Sequence, residues 1–175
     1  ILVPNSNVAQ AEGGEFYYCS GPKILFSGAC RNNTKGAEWV AQEFDVNELV
    51  IMKSDVFHLD TLFTPVINKK NQLAAMIACT SLMENESAVN LKNFAKKLSI
   101  ELIEVGPEDS IGTNNQLGEF AVNCCPLPGY LIGPTRFRSL KVNKILKELE
   151  VMHITIPTTQ FRLSGGSVHC LTNEL

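Results

Sequence analysis

The residues able to do chemistry sit at the breaks between apolar runs. Cys170 follows the pair Gly165-Gly166, and glycines permit a tight turn and a close approach of backbone to a ligand. A free cysteine is most often a small buried hydrophobe, but just past such a turn it can face a cavity, where its thiolate is a nucleophile. His58 and Asp60 are two residues apart, so on a strand they would share a face. Such a pair is either a core histidine held by a carboxylate, or an acid–base group beside a grip for a cation. Glu12, next to Gly13-Gly14, is either a solvated turn residue or a bidentate acceptor for a planar cation. Arg31, within Ser27-Gly28-Ala29-Cys30-Arg31-Asn32-Asn33, precedes a helix capped near Asn33 or Thr34. It is either a surface residue or a clamp for a carboxylate.

The elements that must position these residues form a repeat. Apolar residues recur at i, i+3, i+4 and i+7 in Ala37, Val40, Ala41 and Phe44; in Leu91, Phe94, Ala95 and Leu98; and in Val142, Ile145, Leu146 and Leu149. Each set predicts an amphipathic helix, and their starts are 54 and 51 residues apart. Strands are expected before each helix (24–26, 73–78, 130–132), after it (49–52, 100–105, 154–156) and at the opening of each unit (15–18, 59–67, 119–125). The unit is β-β-α-β in an α+β chain, and several must pack about a common axis because none buries its own faces. His58 and Cys170 are 112 residues apart, about two periods, so the repeat brings them to one pole.

The chain has 175 residues, 45% of them hydrophobic and 19% charged, with a net charge of −3. Residues 1–175 are read as a single domain. Lys and Arg are scattered, so nucleic acid is not an expected partner. No apolar run reaches the roughly 20 residues that span a bilayer, and Ile1-Leu2-Val3 is cut short by Pro4-Asn5. The expectation is a cytoplasmic protein with no membrane partner. Cys19, Cys79, Cys124 and Cys125 fall in or beside apolar runs, as reduced core cysteines do. Alternation over 120–127 places Cys124 and Cys125 on opposite faces of a strand. With no C-x-x-C and three dispersed histidines, neither a metal, a structural disulfide nor a cofactor is expected.

Taken together, the junctions resemble the guanidino-modifying superfamily, the pentein fold of dimethylarginine dimethylaminohydrolases, arginine deiminases, arginine dihydrolases and amidinotransferases. Glu12-Gly13-Gly14-Glu15 resembles its E-G-G-D. Leu25-Phe26-Ser27-Gly28, with Arg31 and Gly36-Ala37-Glu38, resembles its L-x-x-G and G-A-E stretch. His58-Leu59-Asp60-Thr61-Leu62-Phe63 is similar to H-L-D-T-x-F, and Gly165-Gly166-Ser167-Val168-His169-Cys170-Leu171-Thr172 to the G-G-S-x-x-C-L-T around the nucleophile. The likeness runs from Glu12 to the end, with Glu15 where Asp is usual and Asn32 where Thr commonly follows the arginine.

The resemblance implies a pentein-type α/β propeller of five β-β-α-β modules, three of them in this chain, open to homo-oligomers or to association with the missing N-terminal modules. It also implies a small guanidino substrate. Cys170 would attack the guanidine carbon, Asp60 and Glu12 would hold its nitrogens, and His58 would protonate the leaving amine and then activate water. Arg31 would take the substrate carboxylate and Glu15 would be a further substrate contact. A covalent thiouronium would collapse to citrulline, and the substrate cation and imidazolium would favour the thiolate. Dimethylarginine dimethylaminohydrolase-like activity is favoured, then arginine deiminase or dihydrolase, then amidinotransferase. The rival from another class is a non-catalytic truncated pentein.

Overall fold

Short apolar runs bounded by turn residues become strands here, and one connectivity occurs three times. The computed structural model describes residues 8–172. β1 (Phe16–Cys19) pairs antiparallel with β2 (Ile24–Gly28), and the chain crosses through α1 (Thr34–Glu43) to β3 (Glu48–Met52), parallel to β2. A parallel pair needs such a crossover, which is why each helix lies between the second and third strands. β4 (Phe63–Ile67), β5 (Leu73–Ala78), α2 (Asn85–Leu98) and β6 (Glu101–Glu104) repeat the order. A hairpin of β7 (Gly112–Thr113) and β8 (Gln116–Leu117) intervenes before β9 (Cys125–Leu127), β10 (Tyr130–Gly133), α3 (Leu140–Glu148) and β11 (Met152–Thr155). The chain closes with α4 (Thr159–Leu163) and a 3-10 turn at His169–Leu171. The result is a mixed α/β fold of small sheets ordered β1-β2-β3, β4-β5-β6 and β11-β10-β9.

Helix faces follow the periodicity. Ala37, Ala41, Leu91, Phe94, Ala95, Val142 and Leu146 are buried. Phe44 and Leu98 depart from expectation because they lie at helix ends. Phe44 caps α1 and its half-exposed ring meets Tyr18, while Leu98 precedes Ser99 in the left-handed region. Cys19, Cys79, Cys124 and Cys125 are buried.

Each helix also leans on the unit before it. Phe94 of α2 packs edge-on against Phe26 of β2, Lys97 pairs with Glu48 of β3 at 2.7 Å, and Ser87 Oγ accepts the Lys53 N–H at 2.9 Å. Before α3, the Arg138 and Ser139 N–H groups donate to Asp109, and Lys141 pairs with Glu101 of β6. α1 is tied in the same manner to the segment before β1. Asn33 caps it, accepting from Gly36 at 2.8 Å, and exchanges bonds with Gln10; a Cβ on Gly36 would lie 1.9 Å from the Gln10 carbonyl oxygen. The third sheet has no such cover among the described residues. Its register places Leu127, Tyr130 and Met152 in one row, and all three are exposed, Met152 by 59%.

Two expected strands are corrected. Residues 59–67 are not continuous: Leu59–Thr61 form a 3-10 turn, pinned by Thr61 Oγ1 donating to the His58 carbonyl at 2.6 Å, before β4 begins. Residues 119–125 are mostly not a strand. Phe120 has φ +56°, and its N–H and that of Val122 bond back to Ser110 and Asp109, so pairing begins only at Cys125. Cys124 and Cys125 therefore do not alternate across a strand. Cys124 sits in the turn before it, its thiol donating to the Ala121 carbonyl at 3.0 Å. Among the described residues no helix is long and apolar enough to cross a membrane.

Candidate active site

Glu15 ties together the loops that hold the candidate site residues Arg31, His58 and Asp60. It is 1% exposed; Oε1 accepts the N–H groups of Cys30 at 3.0 Å and Arg31 at 2.6 Å, and Oε2 accepts that of Leu59 at 2.9 Å. A buried carboxylate must be satisfied in this way. Gly28 makes room for it, since a Cβ there would lie 1.7 Å from Oε2. Glu15, expected to contact substrate, thus has both oxygens committed to backbone and orients the residues beside it.

One of these is His58, whose Nε2 lies 2.9 Å from Glu12 Oε2. Gly14 lets the ring sit there, because a Cβ would come within 2.6 Å of His58 Nδ1. The Phe57 ring lies 4.1 Å from the imidazole and carries the Arg31 guanidinium 4.4 Å above its centroid, a cation–π contact. Gln10, Ala11, Glu12, Cys30 and Arg31 line an open pocket of about 450 Å³.

On the same turn, Asp60 goes the other way. It is fully buried. Oδ2 lies 3.0 Å from His169 Nδ1 and 3.3 Å from Cys170 Sγ, while Oδ1 is buried with no hydrogen-bond partner. Asn123, also fully buried, is the keystone of this cluster. Its Nδ2 donates to the Asp60 carbonyl at 3.0 Å and to Cys170 Sγ at 3.3 Å, and its Oδ1 accepts the His169 N–H at 2.9 Å. Gly165, at φ +85°, turns the chain after α4, and the buried hydroxyls of Thr158 and Ser167 meet at 2.9 Å beneath the Cys170 loop. Although Cys170 as a residue is exposed, its sulfur rests against Asp60 and Asn123. Burial first, and then the Asp60 carboxylate, push this thiol up, against hydrogen bonds from the Ser167 backbone and Asn123.

The structure thus joins Cys170 to Asp60, and Glu12 to His58, as two neighbouring pairs sharing the 58–61 turn. Their shared face of a strand is replaced by a turn that aims His58 at Glu12 and Asp60 at Cys170. Among the described residues no hydrogen bond or ion pair links His58 directly to Cys170. Sequence reasoning missed Asn123 and His169. His169 was visible as the neighbour of the cysteine, whereas Asn123 lay hidden in an expected strand. Among the described residues no group of three or more His, Cys, Asp or Glu side chains is arranged to hold a metal.

No family model matches the chain, and no curated protein matches it in sequence. Solved structures do match in fold. A mutant of AgrE in binary complex with L-arginine aligns with a TM-score of 0.73 at 18% identity, over 95% of this chain and 23% of that one. The N-terminal domain of ArgZ bound to product, an arginine dihydrolase of the ornithine–ammonia cycle in cyanobacteria, aligns at 0.72 and 19% identity, over 95% and 56%. A dimethylarginine dimethylaminohydrolase, as its adduct with 4-chloro-2-hydroxymethylpyridine, aligns at 0.61 and 16% identity, over 95% and 58%. The chain spans about a quarter of the first and little more than half of the other two. The chain shares the fold of these structures, which are themselves members of the pentein superfamily.

Proposed function

We propose that this chain is the nucleophile-bearing part of a cysteine hydrolase that cleaves the guanidine C–N bond of arginine or a methylated arginine, as dimethylarginine dimethylaminohydrolase does. The carrying observation is the contact of Cys170 Sγ with Asp60, whose other oxygen is buried without a partner. An unpaired buried carboxylate oxygen is costly and is best satisfied by a cation with N–H donors. A guanidinium on Oδ1 would bring its carbon to the sulfur.

The thiol, held up by burial and by Asp60, is protonated before substrate arrives. A bound guanidinium offsets the Asp60 charge and draws out the thiolate, the thiol proton leaving to solvent. The sulfur then adds to the guanidine carbon. The amine leaves with a proton from His58, giving a covalent thiouronium, and His58, oriented by Glu12, takes a proton from the water that hydrolyses it to citrulline. Arg31 holds the α-carboxylate at the mouth of the pocket it lines, and Glu15 serves by fixing Arg31 and Leu59. Arginine dihydrolase activity is the second reading, supported by the higher TM-score of ArgZ.

Within this reading residues 1–175 are three of five propeller modules in a cytoplasmic enzyme. The bare face of the third sheet supports it, because the first two sheets each meet the helix of the following unit. The test is acid-quenched mass spectrometry of the protein with arginine or dimethylarginine, with and without complementary modules. A thiouronium on the Cys170 peptide and release of citrulline are expected. An adduct on Cys124 or Cys125 instead, or no adduct in the complemented protein, would sink the proposal.

A further inference from the structure

Asp60 carries an asymmetry that the proposed chemistry requires and does not itself create. Its two oxygens are chemically equivalent, yet Oδ2 serves His169 and Cys170 together while Oδ1 has no partner. Something must hold the carboxylate in this rotation. His169 is itself held on several sides. Its N–H donates to Asn123 Oδ1 at 2.9 Å, and its carbonyl accepts from Thr172 Oγ1 at 2.8 Å. Its ring lies 4.2 Å from that of Tyr17, whose hydroxyl is anchored on the Cys124 carbonyl at 3.1 Å. An ionised carboxylate only accepts, so the proton between the two groups belongs on Nδ1. A ring packed in this way presents a fixed donor to the carboxylate.

We propose that His169 is a positioning residue: by donating from Nδ1 to Asp60 Oδ2 it turns that oxygen to the Cys170 sulfur and leaves the buried Oδ1 unpartnered for the cationic ligand. The inference rests on Asp60 being the guanidinium acceptor, but the orientation can be tested apart from that reading. A carboxylate pressed against a thiol suppresses its thiolate. The rate at which iodoacetamide alkylates Cys170 near neutral pH, read on the Cys170 peptide, therefore reports where Asp60 sits without any need for turnover.

His169→Phe keeps a ring against Tyr17 and removes the donor, and it should speed alkylation roughly threefold to tenfold. His169→Asn places an amide N–H near the former Nδ1 and should restore a rate close to that of the unaltered chain. Asp60→Asn should also accelerate the reaction, and adding His169→Phe to it should bring no further gain. An unchanged rate in His169→Phe overturns the proposal. So does an equal acceleration on the Asp60→Asn background, which would mean that the loop had merely opened. Should His169→Phe fail to fold, nitrogen NMR of the unaltered chain decides: a His169 ring protonated at Nδ1 is expected, and a bare Nδ1 overturns it. If arginine is neither bound nor turned over while the alkylation coupling stands, the guanidino reading falls and the positioning role survives; turnover without coupling gives the reverse.

Discussion

Two histidine–carboxylate pairs lie on either side of Leu59, and they are not equivalent. In His58–Glu12 the side chains are 18% and 55% exposed, whereas in His169–Asp60 they are 9% and 0% exposed. The first pair stands where solvent can reach it. The second is walled in and joined to the Cys170 sulfur. An open ion pair contributes little and is free to change its protonation, whereas breaking a buried one leaves an uncompensated charge. The same two residue types therefore suit acid–base work in one place and fixed electrostatics in the other.

The harshest test of this division is Cys170→Ser, which should remove at least about a thousandfold of turnover while leaving the buried pair and substrate binding intact, because a serine hydroxyl is too weak an acid to attack a guanidinium. Measured kcat and a binding isotherm check it together; undiminished turnover would mean that another group is the nucleophile. Next, Asp60→Asn should lower kcat/KM by more than about a hundredfold and Glu12→Gln by only about tenfold, since removing a buried charge partner costs more than removing an exposed one. Equal losses would abolish the distinction between the pairs. His58→Ala belongs to the open side and should let thiouronium form but slow its breakdown by roughly a hundredfold, visible as accumulated adduct.

Arg31→Ala should raise KM by about tenfold or more for substrates with an α-carboxylate and change little for small guanidines. Equal losses for both would make Arg31 a support for Phe57 and the loop. The smallest effect concerns pH. Because the Cys170 thiol is pushed up, its protonated form persists through neutral pH. Its alkylation should be a few-fold slower than that of an ordinary thiol and rise as pH passes above the usual thiol range. A rate that has already levelled off below that range would contradict the influence of Asp60.

Much of the fold was legible in the sequence because each unit declares itself locally. Helical spacing at Ala37–Ala41, Leu91–Ala95 and Val142–Leu146, and apolar runs at 24–26 and 73–78, need only backbone periodicity to be read. The turn at Leu59–Thr61 and the folded-back segment at Phe120 were not legible. The first is closed by the Thr61 hydroxyl on the nearby His58 carbonyl, a side-chain bond that apolar periodicity does not report, and the second by N–H bonds back to Ser110 and Asp109, which no strand pattern encodes.

The candidate site divides in the same way. Sequence by itself determined that Cys170, His58, Asp60 and Glu12 lie at junctions between repeated units and Arg31 in the loop before the first helix, since glycine turns and periodicity are local properties. Tertiary structure alone decided their partners: His58 with Glu12, Asp60 with His169 and Cys170, Glu15 with three backbone N–H groups, and Asn123 beneath the sulfur. A buried polar group takes whichever partner satisfies its desolvation, and these partners lie 15 to 110 residues apart. Their choice belongs to the packed fold.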